Sequence, residues 1–61
     1  MKELDVIRLT EQYKNIPVGT EGTIVLEYDS TYFEVEFFDT DGETIDVVTT
    51  PANILTKVEY E

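Results

Sequence analysis

The apolar residues of this chain recur with a period of two. In residues 32–38, Phe33, Val35 and Phe37 fall on one face while Glu34 and Glu36 fall on the other, the pattern of a half-buried strand. The same reading places a strand at 4–9, with Ile7 and Leu9 on one face and Leu4 and Val6 on the other. Further strands are expected at 23–28, at 44–49 and, more briefly, at 55–59. No window carries a helical stripe, and there is no internal repeat or low-complexity stretch. Pro51-Ala52-Asn53-Ile54 suits a single 3₁₀ turn, because proline presets φ and donates nothing to a ladder.

Strand parity then suggests how the hairpins close. A three-residue loop at Thr40-Asp41-Gly42, with Gly42 in the left-handed position, sets Phe37 opposite Ile45, Val35 opposite Val47 and Phe33 opposite Thr49, all inward. A two-residue Asp41-Gly42 loop would instead set Phe37 opposite Asp46. Between the second and third strands, an even loop (Asp29-Ser30, or Asp29 to Tyr32) turns both Ile24 and Leu26 toward the core. Gly19 and Gly22, three apart just before an apolar strand, suit a tight diverging turn where side chains would clash. A phosphate cradle would need a following helix and usually a lysine; here a strand follows and Glu21 lies inside the turn. Five short strands, a long first loop at 10–18 and a 3₁₀ turn before the last strand describe an all-β fold, a small five-stranded SH3-like barrel forming one domain over residues 1–61.

Composition narrows the chemistry. A chain of 61 residues buries only about 60% of the surface its unfolded form exposes. Its core supplies about 3–5 kcal/mol. There is no Cys, His or Trp, which removes thiol chemistry, most nucleophile–base pairs and the usual zinc sites; no cofactor is expected. Fourteen acids against four bases give a net charge of −10, and no base lies between Lys14 and Lys57. Such a field repels phosphate, so direct nucleic-acid binding and anionic membranes are disfavoured and a basic protein partner is favoured. The longest apolar runs are three residues, and Met1-Lys2-Glu3 does not open a signal peptide; the expectation is a cytoplasmic protein.

The inferred pairing puts Glu36 opposite Asp46 on the outer face, with Tyr32, Glu34, Phe38 and Val48 around them. Carboxylates mixed with aromatic and aliphatic groups suit a partner surface. The alternative is a solvated face whose apolar members are covered by the first loop or a terminus. Paired carboxylates also serve as general acid and base, but a barrel filled by its own side chains offers no cleft for that chemistry, and no enzyme activity is expected. Asp39-Thr40-Asp41-Gly42-Glu43 resembles the opening of a calcium loop, with its glycine too early and its distal acid misplaced; a hairpin turn with at most weak cation association is the simpler reading. Tyr13, Tyr28, Tyr32 and Tyr60, with Phe38, invite comparison with an aromatic cage, although core or rim packing accounts for them as well. Recognition of proline-rich peptides needs a tryptophan that this chain lacks.

Three stretches, Glu3-Leu4-Asp5-Val6-Ile7-Arg8-Leu9-Thr10-Glu11, Pro17-Val18-Gly19-Thr20-Glu21-Gly22-Thr23-Ile24-Val25 and Tyr32-Phe33-Glu34-Val35-Glu36-Phe37, followed by Asp41-Gly42, together resemble a family of short bacterial proteins. That family is catalogued as a domain of unknown function, number four-nine-two-six. The resemblance covers nearly the whole chain. It implies an SH3-like barrel with no established activity, encoded beside another small protein in a pairing of toxin–antitoxin style. The Gly-x-x-Gly turn is similar to that of KOW-type barrels and of the nitrile hydratase barrel domain, but KOW modules that touch RNA are basic and this chain is not. The functional expectation is a non-catalytic acidic binding module engaging a cognate basic protein, antitoxin-like or immunity-like. Its alternatives are a KOW-like accessory of a nucleoprotein complex and a structural subunit that stabilises an enzyme.

Overall fold

The alternation at 32–38 builds the strand around which the sheet is laid. The computed structural model describes residues 1–59. Its elements are β1 (Val6–Leu9), β2 (Glu21–Glu27), β3 (Tyr32–Phe38), β4 (Thr44–Pro51), a 3₁₀ turn (Ala52–Ile54) and β5 (Leu55–Lys57). They form one antiparallel sheet in the order β4-β3-β2-β1-β5, the SH3-like meander in which the last strand returns beside the first. β4 and β5 are the two edges, joined by the 3₁₀ turn rather than by a ladder, so the barrel is open on that side. No helix is long and apolar enough to cross a membrane.

The core is the inward set of the strands: Ile7 and Leu9, Ile24, Phe33, Val35 and Phe37, closed by Ile54 and Leu55. Ile16 joins them from the first loop, which is itself a small hairpin. Tyr13 and Ile16 exchange two backbone hydrogen bonds (3.0 and 2.8 Å) around Lys14 and Asn15, both at positive φ, as a two-residue hairpin turn requires. The Tyr13 hydroxyl donates to the Thr49 carbonyl at 3.0 Å and ties this loop to β4. The loop thus covers the core, not the outer face of the sheet.

Two β-bulges overturn parts of the expected register. The β2–β3 loop holds an odd number of residues, Asp29-Ser30-Thr31, with Tyr28 N–H donating to the Tyr32 carbonyl and Asp29 Oδ1 accepting from the N–H of Thr31 and Tyr32. Val25 is then an extra residue in β2: Ile24 still faces Val35, but Leu26 pairs with Glu34 on the outer face instead of entering the core. On the other side of β3, the Thr40-Asp41-Gly42 loop has Gly42 at φ +83°, and Asp39 N–H donates to the Glu43 carbonyl at 2.9 Å. Phe38 pairs with Thr44, and Ile45 is inserted before Asp46 meets Phe37. Beyond it Val35 faces Val48 and Phe33 faces Thr50; the expected partners Ile45, Val47 and Thr49 are not inward.

Pro51 explains the second bulge. Antiparallel pairs alternate between hydrogen-bonded and non-bonded, counted from the bonded 39–43 pair at the turn. Without an insertion, Pro51 would fall in a bonded pair with Thr31 and would owe the ladder an N–H it lacks. With Ile45 inserted, Pro51 pairs with Tyr32 at a non-bonded position, and Ala52 N–H donates to the Thr31 carbonyl at 2.7 Å. The strand therefore runs two residues beyond its expected end. Thr50, fully buried, keeps its hydroxyl satisfied on the Val48 carbonyl at 3.1 Å.

Candidate functional site

The outer face of the sheet follows from the pairings, since residues directly opposite share a face. One row runs Val6, Thr23, Glu36, Val47; the next runs Leu26, Glu34, Thr49; Tyr32 lies beside Pro51 and Phe38 beside Thr44. Two carboxylates therefore sit at the centre of a face whose other members are mostly apolar or hydroxylic. Each is oriented by a threonine: Thr44 Oγ1 donates to Glu36 Oε2 at 2.7 Å, and Thr49 Oγ1 donates to Glu34 Oε1 at 2.8 Å. A neutral hydroxyl orders a carboxylate without cancelling its charge. The ion pairs among the described residues involve neither acid: Arg8 with Glu21 at 2.8 Å, a pair two residues along from Val6 and Thr23 on the same face, and Lys57 with Asp5 and Glu59 at 3.8 and 3.7 Å.

Around these acids the face is apolar. Leu26, Val47 and Tyr32 are 43–46% exposed, and Val25, the extra residue of β2, is equally open. Toward the turns, an open groove of about 880 Å³ is lined by Val6, Thr23, Phe38 and Ile45, between the Gly19–Gly22 segment and the β3–β4 turn. Gly22 lets β2 press against β3 here: a Cβ on it would lie 2.7 Å from the Glu36 carbonyl oxygen and 2.8 Å from Val35 Cγ1. Gly19, at φ +86°, turns the chain from the first loop into β2, with Thr20 Oγ1 donating to the Pro17 carbonyl at 2.7 Å.

Of the six residues assigned to the partner face by parity, the structure gathers Tyr32, Glu34, Glu36 and Phe38 on one surface. Asp46 and Val48 are corrections. The Ile45 insertion moves both to the opposite parity, so Val48 packs against the core. Glu36 faces Val47 and Thr23, with no like charge across the strand. Asp46 instead folds its carboxylate back, Oδ1 accepting from the Val47 N–H at 2.8 Å. Leu26, Ile45 and Val47, read as core from the sequence, are what the face gains. Proline parity at Pro51 is the signal that could have located Val47; the Val25 insertion leaves no mark in residue type.

The other constellations resolve locally. In the Asp39–Glu43 turn, Asp39 Oδ1 accepts from the N–H of Asp41 and of Glu43 at 2.9 and 3.0 Å, the bonds of a tight hairpin. No group of three or more metal-capable side chains is found among the described residues. Tyr13 packs against the core, with its own neighbour Lys14 lying 5.5 Å from the ring centroid. Tyr28 and Tyr32 are exposed, and Tyr60 lies outside the described residues.

A family model described as a domain of unknown function, DUF4926, matches residues 3–57. The chain belongs to that family. No curated protein and no solved structure matches it. The match spans all five strands of this DUF4926 domain, including both bulges, the Gly19–Gly22 segment and every residue of the outer face.

Proposed function

We propose that this DUF4926 domain is a non-catalytic binding module that docks a partner protein of basic and apolar surface on the outer face of β2, β3 and β4, acting in the cytoplasm. One observation carries the reading: Glu34 and Glu36 are oriented by threonine hydroxyls and engaged by no cation among the described residues, in the midst of the exposed side chains of Leu26, Val47 and Tyr32. Ordered carboxylates complement Lys or Arg of a partner and set the register of docking, while aliphatic and aromatic neighbours supply the desolvated anchors. The net charge of −10 steers a basic protein toward the domain and speeds encounter at low salt. An antitoxin-like or immunity-like role, in which this face masks a basic surface of a small protein encoded alongside, is the sharpest form of the proposal.

The test is titration calorimetry of the domain against the product of the adjacent gene at low ionic strength. Glu34→Lys with Glu36→Lys is expected to weaken binding roughly tenfold or more. A charge-matched control, Glu3→Lys with Glu11→Lys, alters the same number of charges at exposed positions off the face and is expected to have a much smaller effect. Equal losses in the two double variants, or no complex with the unmodified domain, overturn the assignment.

A further inference from the structure

We propose that Asp46, Tyr13 and Pro51 close the outer edge of β4 against pairing with a second copy of this chain. β4 is an edge strand of eight residues, long enough to template another strand. The ladder phase fixes which of its backbone groups point away from β3. Thr50 and Val48 lie in bonded pairs with Phe33 and Val35, so the N–H and C=O of Val47 and Thr49 point outward, and Pro51 takes the next outward position. Two hydrogen bonds agree with that phase: the Val47 N–H is taken by Asp46 Oδ1 at 2.8 Å, and the Thr49 carbonyl by the Tyr13 hydroxyl at 3.0 Å.

These two capped groups are the two halves of one bond. If two copies of β4 paired antiparallel about a twofold axis at Val48, Val47 of one copy would face Thr49 of the other. The outward Val47 N–H would then donate to the partner copy's Thr49 carbonyl, and symmetry would repeat the bond. Asp46 occupies the donor and Tyr13 the acceptor of that same bond. Pro51 offers no N–H at the next outward position, and the Ile45 insertion twists the other end of the strand. The caps therefore occupy the groups that pairing of this strand with a second copy would need. The bulge that takes Asp46 off the outer face gives it this second place.

Asp46→Asn and Asp46→Ala separate capping from charge, since Asn keeps an acceptor oxygen and Ala has none. Light scattering coupled to size exclusion is expected to find the unmodified domain and Asp46→Asn monomeric. Asp46→Ala, and more so Asp46→Ala with Tyr13→Phe, are expected to dimerise, with a dissociation constant lowered about tenfold or more and with the Val47 and Thr49 amides newly protected from hydrogen exchange. If Asp46→Ala fails to fold, Pro51→Thr opens the edge from its other end and carries the same expectation. A folded Asp46→Ala as monomeric as the unmodified domain, dimerisation of Asp46→Asn equal to that of Asp46→Ala, or an unmodified domain already paired through β4 each overturn the proposal.

Discussion

Gly22 is the residue whose side chain the fold cannot accommodate. Its extended backbone asks nothing special of φ; what excludes a Cβ is contact with the Glu36 carbonyl oxygen at 2.7 Å and with Val35 Cγ1 and Phe37 Cδ1 at 2.8 and 3.0 Å. Two of those atoms are core side chains and the third is backbone of the central strand, so none moves without moving the sheet. Gly22→Ala is expected to destabilise the domain by about 2–3 kcal/mol, the range for overpacking a filled core. Gly42 is the converse case: a Cβ there meets nothing within 4 Å, and only its φ of +83° resists a side chain. Gly42→Ala is expected to lose about 1–2 kcal/mol. Urea midpoints of the two variants check the order; equal losses would mean that β2 relaxes away from β3. Against a total of about 3–5 kcal/mol, Gly22→Ala leaves a domain close to unfolding.

The first loop earns the status of an element, because Ile16 reaches the core at 2% exposure and Tyr13 bonds to β4 across the fold. Ile16→Ala is expected to destabilise by about 2–4 kcal/mol, whereas an ordinary surface loop would tolerate the change within about 0.5 kcal/mol. Thermal melts distinguish the two. That loop also shows where the sequence is readable and where it is not. β3 is legible because seven residues alternate without interruption, and with it come Tyr32, Glu34, Glu36 and Phe38 on one face. The SH3-like order is legible because the long first loop and the proline-led turn frame the same five strands. The Val25 insertion leaves no such trace, and that of Ile45 shows only indirectly, through the ladder parity of Pro51; one extra residue inverts the parity of all that follows. Leu26, Val47, Asp46 and Val48 were misplaced for that single reason. Ile16 was missed because a two-residue turn at Lys14-Asn15 uses positive φ in residue types that do not advertise it.

At the scale of the molecule, the acidity and the fold pull against each other. Ten uncompensated negative charges occupy a body with a radius of gyration of 10.3 Å. That radius is close to the Debye length of about 10 Å at 0.1 M salt, so at low ionic strength most carboxylates sense one another. Salt also weakens the attractions, but among the described residues the ion pairs, Arg8 with Glu21 and Lys57 with Asp5 and Glu59, are partly exposed, and such pairs are worth about 0–1 kcal/mol each. No like-charge pair stands directly across β3 and β4 to concentrate the repulsion at one point, so the stress is spread over the surface rather than held at Glu36. Relief by salt should therefore be gradual. Raising sodium chloride from roughly 0.01 to 0.5 M, over which the screening length falls from about 30 Å to a few Å, is expected to lift the melting temperature by several degrees. Glu36→Gln, which removes one charge from the face without altering its shape, should lower that salt sensitivity only slightly. A melting temperature that falls with salt would show that the ion pairs outweigh the net charge; a Glu36→Gln variant that loses most of the response would mean the repulsion is focused on the outer face after all. A diffuse field also bears on docking: a basic partner that covers Glu34 and Glu36 neutralises charge that repels the rest of the surface, and its binding should stabilise the domain most at low salt, where the repulsion it removes is largest.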